Sequence, residues 1–339
     1  MRLRLTVTCL ILVCTNAALA QSSSQPALRG TAKVMADAKR LEPLAKSPLL
    51  REFLRATQHL PTISPRTLWL DPDKRVYLSQ SEFEALNDEA RAKIRVTPRD
   101  EDFYYNTKYG SPLSYSRAID ILAAAGLKEW KGKRILDYGY GTVGHLRLIA
   151  LCGADAVGVD IDSMLPMLYN QPDDQGKVKS PSGESGRITM VHGSWPSDAA
   201  THKAVGEGFD VFISKNTLKR GYIHPEQQVD PRMLVQLGVE DAAYLKAIHD
   251  VLMPDGFVLI YNISPQRTPL GPDYKAWSDG RCPFPREVLE TAGFEVLEYD
   301  RDDIQPMSEI ARGLGWHEAP FNMNFGTDTF AEYTLLRRK

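Results

Sequence analysis

The sequence predicts an α/β protein: a mostly parallel sheet with helices on both faces, preceded by a helical region outside that alternation. Three observations carry this. From Trp130 onward, short apolar runs alternate with longer helical stretches, the pattern of strands joined by helical crossovers. Gly139, Gly141 and Gly144 stand in G-x-G-x-x-G spacing between the first such strand and its helix. The second strand ends in an acid, Asp160, about 20 residues beyond the glycines.

The elements follow in chain order. Residues 1–20, "MRLRLTVTCLILVCTNAALA", open with Arg2 and Arg4, continue in an apolar run and end in Ala18-Leu19-Ala20. Charge, apolar run and small-x-small ending read as a secretory signal peptide cut after Ala20, so the chain is expected outside the cytosol, periplasmic or secreted. No later segment is long and apolar enough for a membrane span. Cys9 and Cys14 leave with the leader. Cys152 and Cys282 remain, too few for a disulfide framework or a zinc site, and no metal site is expected.

Residues 21–104 read as a helical N-terminal cap. After a flexible stub from Ser22 to Pro26, Leu28 to His59 is helical, broken at Pro43 and Pro48. "SPRTLWLDPDKRVYL" holds at most a short extended piece. "SQSEFEALNDEARAKIR" reads as one helix with a capping box at Ser81 and Glu84.

The alternating α/β region is placed at 105–339. "RILDYG", "AVGVDID", "RITMVHG", "FDVFISKN" and "GFVLIYNIS" are its first five strands. "FEVLEYD" and "FAEYTLLRR" follow after a mostly irregular stretch, an arrival that suits an antiparallel last strand. "YNQPDDQGKVKSPSGESGR" and "SPQRTPLGPDYKAWSDGRCPFP" read as polar loops at a substrate entrance. A net charge of −2 gives no global pull toward nucleic acid or membrane.

Glycines between a strand and a helix let backbone N–H groups approach a ligand at the helix start, and an acid ending the next strand suits ribose hydroxyls. An adenosine-containing ligand follows. Asp137, just ahead of the glycines, would repel a pyrophosphate and suits a cation, directly or through water. It equally suits the loop amides.

"ILDYGYGTVGHLRLIALCGADAVGVDID" resembles the first motif and second strand of class I S-adenosylmethionine-dependent methyltransferases, and "VLMPDGFVLIYN" resembles their fifth-strand turn. The resemblance implies a Rossmann-like, seven-stranded sheet with an antiparallel last strand, and S-adenosyl-L-methionine as cofactor. It places Asp137, Gly139 and Gly141 around the methionine end and Asp160 on the ribose. Where the family often has an acid for the adenine amine, this chain has Ser194, followed by Trp195. Tyr140 stands where a small residue is usual, either lining the methionine end with an aromatic face or filling the pocket. Tyr138 reads as packing.

The fourth strand runs into "SKNTLKRGYIHPEQ". Asn216, Lys219, Tyr222 and His224 are candidates to orient a substrate or take a proton there, His224 being the evident general base. Lys215 and Thr217 replace the core of the Asn-Pro-Pro-aromatic signature of nucleic-acid amino methylases. "FYYNTKYGSPLSYSRAID" brings Tyr104, Tyr105, Tyr109 and Tyr115 ahead of the first strand, either folding over the cofactor, with Tyr109 at the site, or packing as an aromatic joint. Three readings stay open: a methyltransferase acting on a small molecule; an exported binder of S-adenosylmethionine or a related adenosine compound without turnover; and an NAD-dependent oxidoreductase, against which Asp137 argues. The methyl acceptor and the oligomeric state are not readable from these residues.

Overall fold

The computed structural model describes residues 28–179, 183 and 185–339. The leader and the stub after it lie outside the described residues.

The described residues form two separate sheets, a small antiparallel one and a larger, mostly parallel one. Strands β1 (Arg66–Asp71), β2 (Val76–Leu78) and β3 (Arg95–Arg99) form a small antiparallel sheet in the order β2-β1-β3. Then come β4 (Arg134–Tyr138), β5 (Asp155–Asp160), β6 (Gly176–Lys179), β7 (Ser185–His192), β8 (Phe209–Lys215), β9 (Leu252–Pro265), β10 (Phe294–Asp302) and β11 (Thr329–Arg338). Their order is β10-β11-β9-β8-β4-β5-β7-β6. Neighbours from β7 through β9 pair in parallel, and β11 inserts antiparallel between β9 and β10. Leaving β6 aside, this is the strand order of the class I methyltransferase fold.

Two expectations need correction. The sheet has eight strands, not seven, because part of the polar loop after Tyr169 folds back as β6 against β7, Gly176 opposite Ile188. Only Val178 in β6 is apolar, and the exposed Lys177 and Lys179 blunt the sheet edge, so composition hid a strand that pairing created. The N-terminal region is not wholly helical either. Helices Gly30–Leu41 and Pro48–Ala56 form as expected, but β1–β3 follow them. "SQSEFEALNDEARAKIR" makes two short helices, Gln80–Glu84 and Asp88–Arg91, and the capping box is Ser79 with Glu82, two residues earlier than the spacing suggested.

The sheet has a core on each face. On one, Tyr138, Val157, Trp195, Phe212, Tyr244 and Phe284 are buried together. On the other, Val34, Leu41, Leu50 and Phe53 of the N-terminal helices share one cluster with Leu146 and Ile149 of the helix after β4. Buried carboxylates fasten this cover. Asp174 accepts from Arg66 Nη2 at 3.0 Å and from the Tyr104 hydroxyl at 2.8 Å. Asp120 accepts from Ser47 N at 3.0 Å and Ser47 Oγ at 2.6 Å. Such charge-assisted bonds stabilise because the buried oxygens have no water to return to. Cys152 and Cys282 are both buried and free, in different clusters. Among the described residues no helix is long and apolar enough to cross a membrane.

Candidate functional site

A cavity of about 330 Å³ opens at the carboxyl ends of β4, β5 and β8, where open α/β sheets take ligands. The glycine loop forms one wall. Gly139 (φ 78°) donates its N–H to Val159 O at 2.8 Å, turning the chain out of β4. Gly141 (φ 58°) donates to Asp160 Oδ2 at 3.1 Å. Thr142 then caps the helix Val143–Leu151.

The glycines make room mostly for the protein itself. A Cβ at Gly139 would stand 2.2 Å from Thr217 Oγ1, and one at Gly141 would stand 2.7 Å from the Tyr109 ring. Gly139 still lines the cavity; Gly141 does not, being covered by Tyr109. The segment before β4 therefore folds over the loop, tied by Thr107 Oγ1 to Gly141 O at 2.9 Å. Of its four tyrosines, Tyr104 and Tyr105 are packing, while Tyr109 and Tyr115 reach the cavity.

Tyr140 is buried at 4% exposure and lines the cavity. Its partner is Gly158 in β5: a Cβ there would lie 2.7 Å from the Tyr140 ring and 2.7 Å from Leu146. The missing side chain in "AVGVD" is the space a tyrosine between two glycines needs. Burial pushes the Tyr140 hydroxyl well above its usual range. Tyr138 packs on Phe212 and Tyr244 as expected, and also shows an edge to the cavity.

Asp160 lines the cavity, with Oδ1 accepting from Asp162 N at 2.9 Å and Oδ2 from Gly141 N. Burial raises its pKa, offset by those backbone donors. Beside it Ile161 is 65% exposed at the cavity, an apolar surface that sequence reading passed over. Asp162 is held by Lys108 Nζ at 2.8 Å and the Tyr109 hydroxyl at 2.7 Å. Its carboxyl is pushed up by burial but drawn below its ordinary range by those donors and Met164 N.

Asp137 departs from expectation. It is fully buried and does not line the cavity. Its Oδ2 accepts from the Tyr115 hydroxyl at 2.7 Å and lies 2.5 Å from His145 Nε2. Tyr115 and His145 stack with centroids 3.8 Å apart. The carboxylate serves this buried network and does not itself line the cavity, though its charge acts on Lys215 in the wall.

Ser194 is corrected too. Gly193 lines the cavity, whereas Ser194 Oγ pairs with Ser197 Oγ at 2.8 Å. Trp195 is 1% exposed, packed among Tyr138, Phe212 and Tyr244.

At the β8 end, Asn216 (φ 64°) lines the cavity and its Oδ1 accepts from Ile263 N at 2.7 Å. Tyr222 lines it too, its hydroxyl raised by burial. Lys219 does not: its Nζ donates to Ile263 O at 2.6 Å, and burial with nearby Lys215 draws its pKa down to about 7. His224 is at the surface, 2.8 Å from Asp241, away from the cavity. The evident general base is thus a surface residue in hydrogen-bond contact with Asp241. Lys215, Thr217, Tyr115 and Gln236, to which the sequence assigns no site role, also line the cavity. Lys215 carries a signal, a charge closing an apolar strand at its carboxyl end, and Tyr115 lies in the tyrosine-rich segment ahead of the first strand; Gln236 carries none. Among the described residues no group of three or more His, Cys, Asp or Glu is placed to hold a metal.

No family model and no curated protein sequence matches the chain. Solved structures similar to it include an S-adenosylmethionine-dependent methyltransferase from Geobacter sulfurreducens in complex with S-adenosyl-L-homocysteine, at 17% identity and TM-score 0.36, covering 65% of this chain and 89% of that one. The phosphoethanolamine N-methyltransferase 2 of Haemonchus contortus, in complex with S-adenosyl-L-methionine, matches at 14% identity and TM-score 0.37, over 72% of this chain and 62% of that one. The [4+2]-cyclase SpnF matches at 15% identity and TM-score 0.39, over 92% of this chain and 97% of that one. Likeness of this size says nothing about substrate.

Proposed function

We propose that the cavity binds S-adenosyl-L-methionine and that the chain transfers its methyl group to a small-molecule acceptor. The supporting observation is the meeting, around one cavity of about 330 Å³, of the glycine turn at Gly139 and the carboxylate of Asp160. Asp160 takes the ribose hydroxyls, with Ile161 and Gly193 beside the adenine. The cofactor supplies an electrophilic methyl on a sulfonium. Because displacement at that carbon needs mainly an aligned acceptor, the chain's task is to hold and orient. Tyr222, Asn216, Thr217 and Gln236 are the polar groups placed to do so.

Calorimetry of the chain with S-adenosylhomocysteine, adenosine and NAD tests the reading. Asp160→Asn is expected to weaken S-adenosylhomocysteine binding about tenfold or more. Unchanged affinity in that variant, or preference for NAD, overturns it.

One observation favours a second reading, a binder without turnover. Lys215 brings an ammonium to the cavity, which disfavours the sulfonium of S-adenosylmethionine relative to the neutral thioether of its product. Product binding far above cofactor binding, with no release of S-adenosylhomocysteine on incubation with the cofactor, would select it. We also propose that the chain is exported, on the three-part pattern of residues 1–20. Mass spectrometry of the N-terminus after cell fractionation is expected to find Gln21 first; an uncleaved cytosolic chain overturns this.

A further inference from the structure

We propose that Lys215 is the carboxylate-binding residue of the cavity, meeting the amino-acid end of the ligand whose adenosine end lies on Asp160. This rests on the cofactor reading above and adds the residue that reads the cofactor's other end.

The case begins with an imbalance. Buried charges in proteins are paired or hydrogen-bonded, since an isolated one costs several kcal/mol in a poorly polarisable interior. The other buried cations here obey this. Arg117 makes a two-pronged contact with Asp303, at 2.9 and 2.6 Å. Arg147 donates to the carbonyls of Asp173 and Asp174 at 2.9 and 3.1 Å. Lys219 donates to Ile263 O. Lys215 is as buried, at 9% exposure, yet its Nζ has no hydrogen-bonding or ion-pair partner among the described residues. Its nearest aromatic neighbour is the Tyr115 ring, 5.5 Å from Nζ to centroid. The one anion that acts on it, Asp137, makes no contact with it, its Oδ2 being engaged by the Tyr115 hydroxyl and His145 Nε2.

Lys215 is also the one of these cations that lines the cavity. Desolvation lowers its pKa to about 8, and Lys215 in turn lowers that of Lys219. Both effects mark a place where an anion is missing. The opposite end holds carboxylates already matched, Asp160 by backbone N–H groups and Asp162 by Lys108 and Tyr109. A ligand with ribose hydroxyls at one end and a carboxylate at the other answers both ends at once. A cavity of about 330 Å³ is of a size that takes such a molecule. The carboxylate the cofactor itself carries is therefore the anion Lys215 meets.

The test compares two ligands that differ in this group. S-adenosylhomocysteine carries the amino acid; 5′-methylthioadenosine is the same adenosine thioether without it. Calorimetry of the full chain with each is repeated on Lys215→Met and Lys215→Gln. Wild type is expected to prefer S-adenosylhomocysteine. Both variants are expected to lose about tenfold or more of that affinity while binding methylthioadenosine as before, which also reports that they are folded. Unchanged S-adenosylhomocysteine affinity, or equal loss for both ligands, overturns the assignment and leaves the cofactor reading standing. A wild-type chain that binds neither ligand overturns both.

Discussion

The two ends of the cavity are built on opposite terms. At the β5 end every charge has its counterpart: Asp160 accepts two backbone N–H groups, and Asp162 accepts from Lys108 and Tyr109. At the β8 end Lys215 faces the cavity unmatched and lowers the pKa of nearby Lys219. The first end is held by the fold whether or not a ligand is present. The second is held against its own electrostatics and is satisfied from outside. A site of this kind trades stability of the empty chain for affinity, as functional sites commonly do.

The largest expected effect breaks the self-sufficient end. Gly158→Val puts side-chain atoms where Tyr140 and Leu146 already stand, at 2.7 Å from each for the first carbon alone. A loss of about 2–3 kcal/mol in urea unfolding is expected, with ligand affinity falling alongside. A small loss would mean that Tyr140 swings away freely and is not locked against β5.

Removing the unmatched charge is expected to act in the other direction. Lys215→Met should stabilise the ligand-free chain by about 1–3 kcal/mol at pH 7, by ending the cost of burying an ammonium. The pH dependence fixes the sign. Folded Lys215 and Lys219 lose their protons near 8 and 7, whereas unfolded lysine keeps its proton to about 10.4. Over that window the unfolded chain binds more protons, so stability contributed by these groups rises with pH from about 7 to 10. Glu332, raised to about 7 chiefly by burial, acts oppositely: its contribution falls between about 4.5 and 7. Urea midpoints at pH 5, 7 and 9 should show a shallow minimum near neutrality, and Lys215→Met should flatten its alkaline side. A wild-type curve without that rise removes the claim that the lysines are strained.

Asp162→Ala loosens the matched end by freeing Lys108, Tyr109 and Met164 N. About 1–2 kcal/mol of stability should go, with faster hydrogen exchange in residues 107–111. Equal protection before and after would show that the strap over Gly141 stands without its anchor. The smallest effect is expected at His224. Its contact with Asp241 is exposed, so His224→Ala should cost no more than about 0.5 kcal/mol and leave S-adenosylhomocysteine affinity unchanged. A marked change in affinity would return His224 to the site.

These contrasts also show which features were legible in the chain. Strand alternation, the glycine turn and the acid at the end of β5 depend on neighbours close in sequence, and all three stand where their spacing placed them. Local pattern missed β6 and β3, short polar strands that take their stability from pairing and not from their own composition, and it allowed only a short extended piece where β1 and β2 form. It misjudged the capping box by two residues because Ser79-x-x-Glu82 and Ser81-x-x-Glu84 have the same spacing.

By itself, then, the sequence determined the α/β alternation, the turn at Gly139 and Gly141, and the carboxylate of Asp160 beside it, since backbone conformation and hydrophobic period are local properties. Only the tertiary structure decided what fills the space near each glycine, which carboxylate is hidden and which cation is exposed to the cavity. Tyr140 meets Gly158, Tyr109 meets Gly141, and Asp137 turns inward to Tyr115 and His145 while Lys215 turns to the cavity. Those outcomes depend on packing between residues 8 to 32 positions apart, and on where water is excluded, and no spacing rule along the chain encodes either.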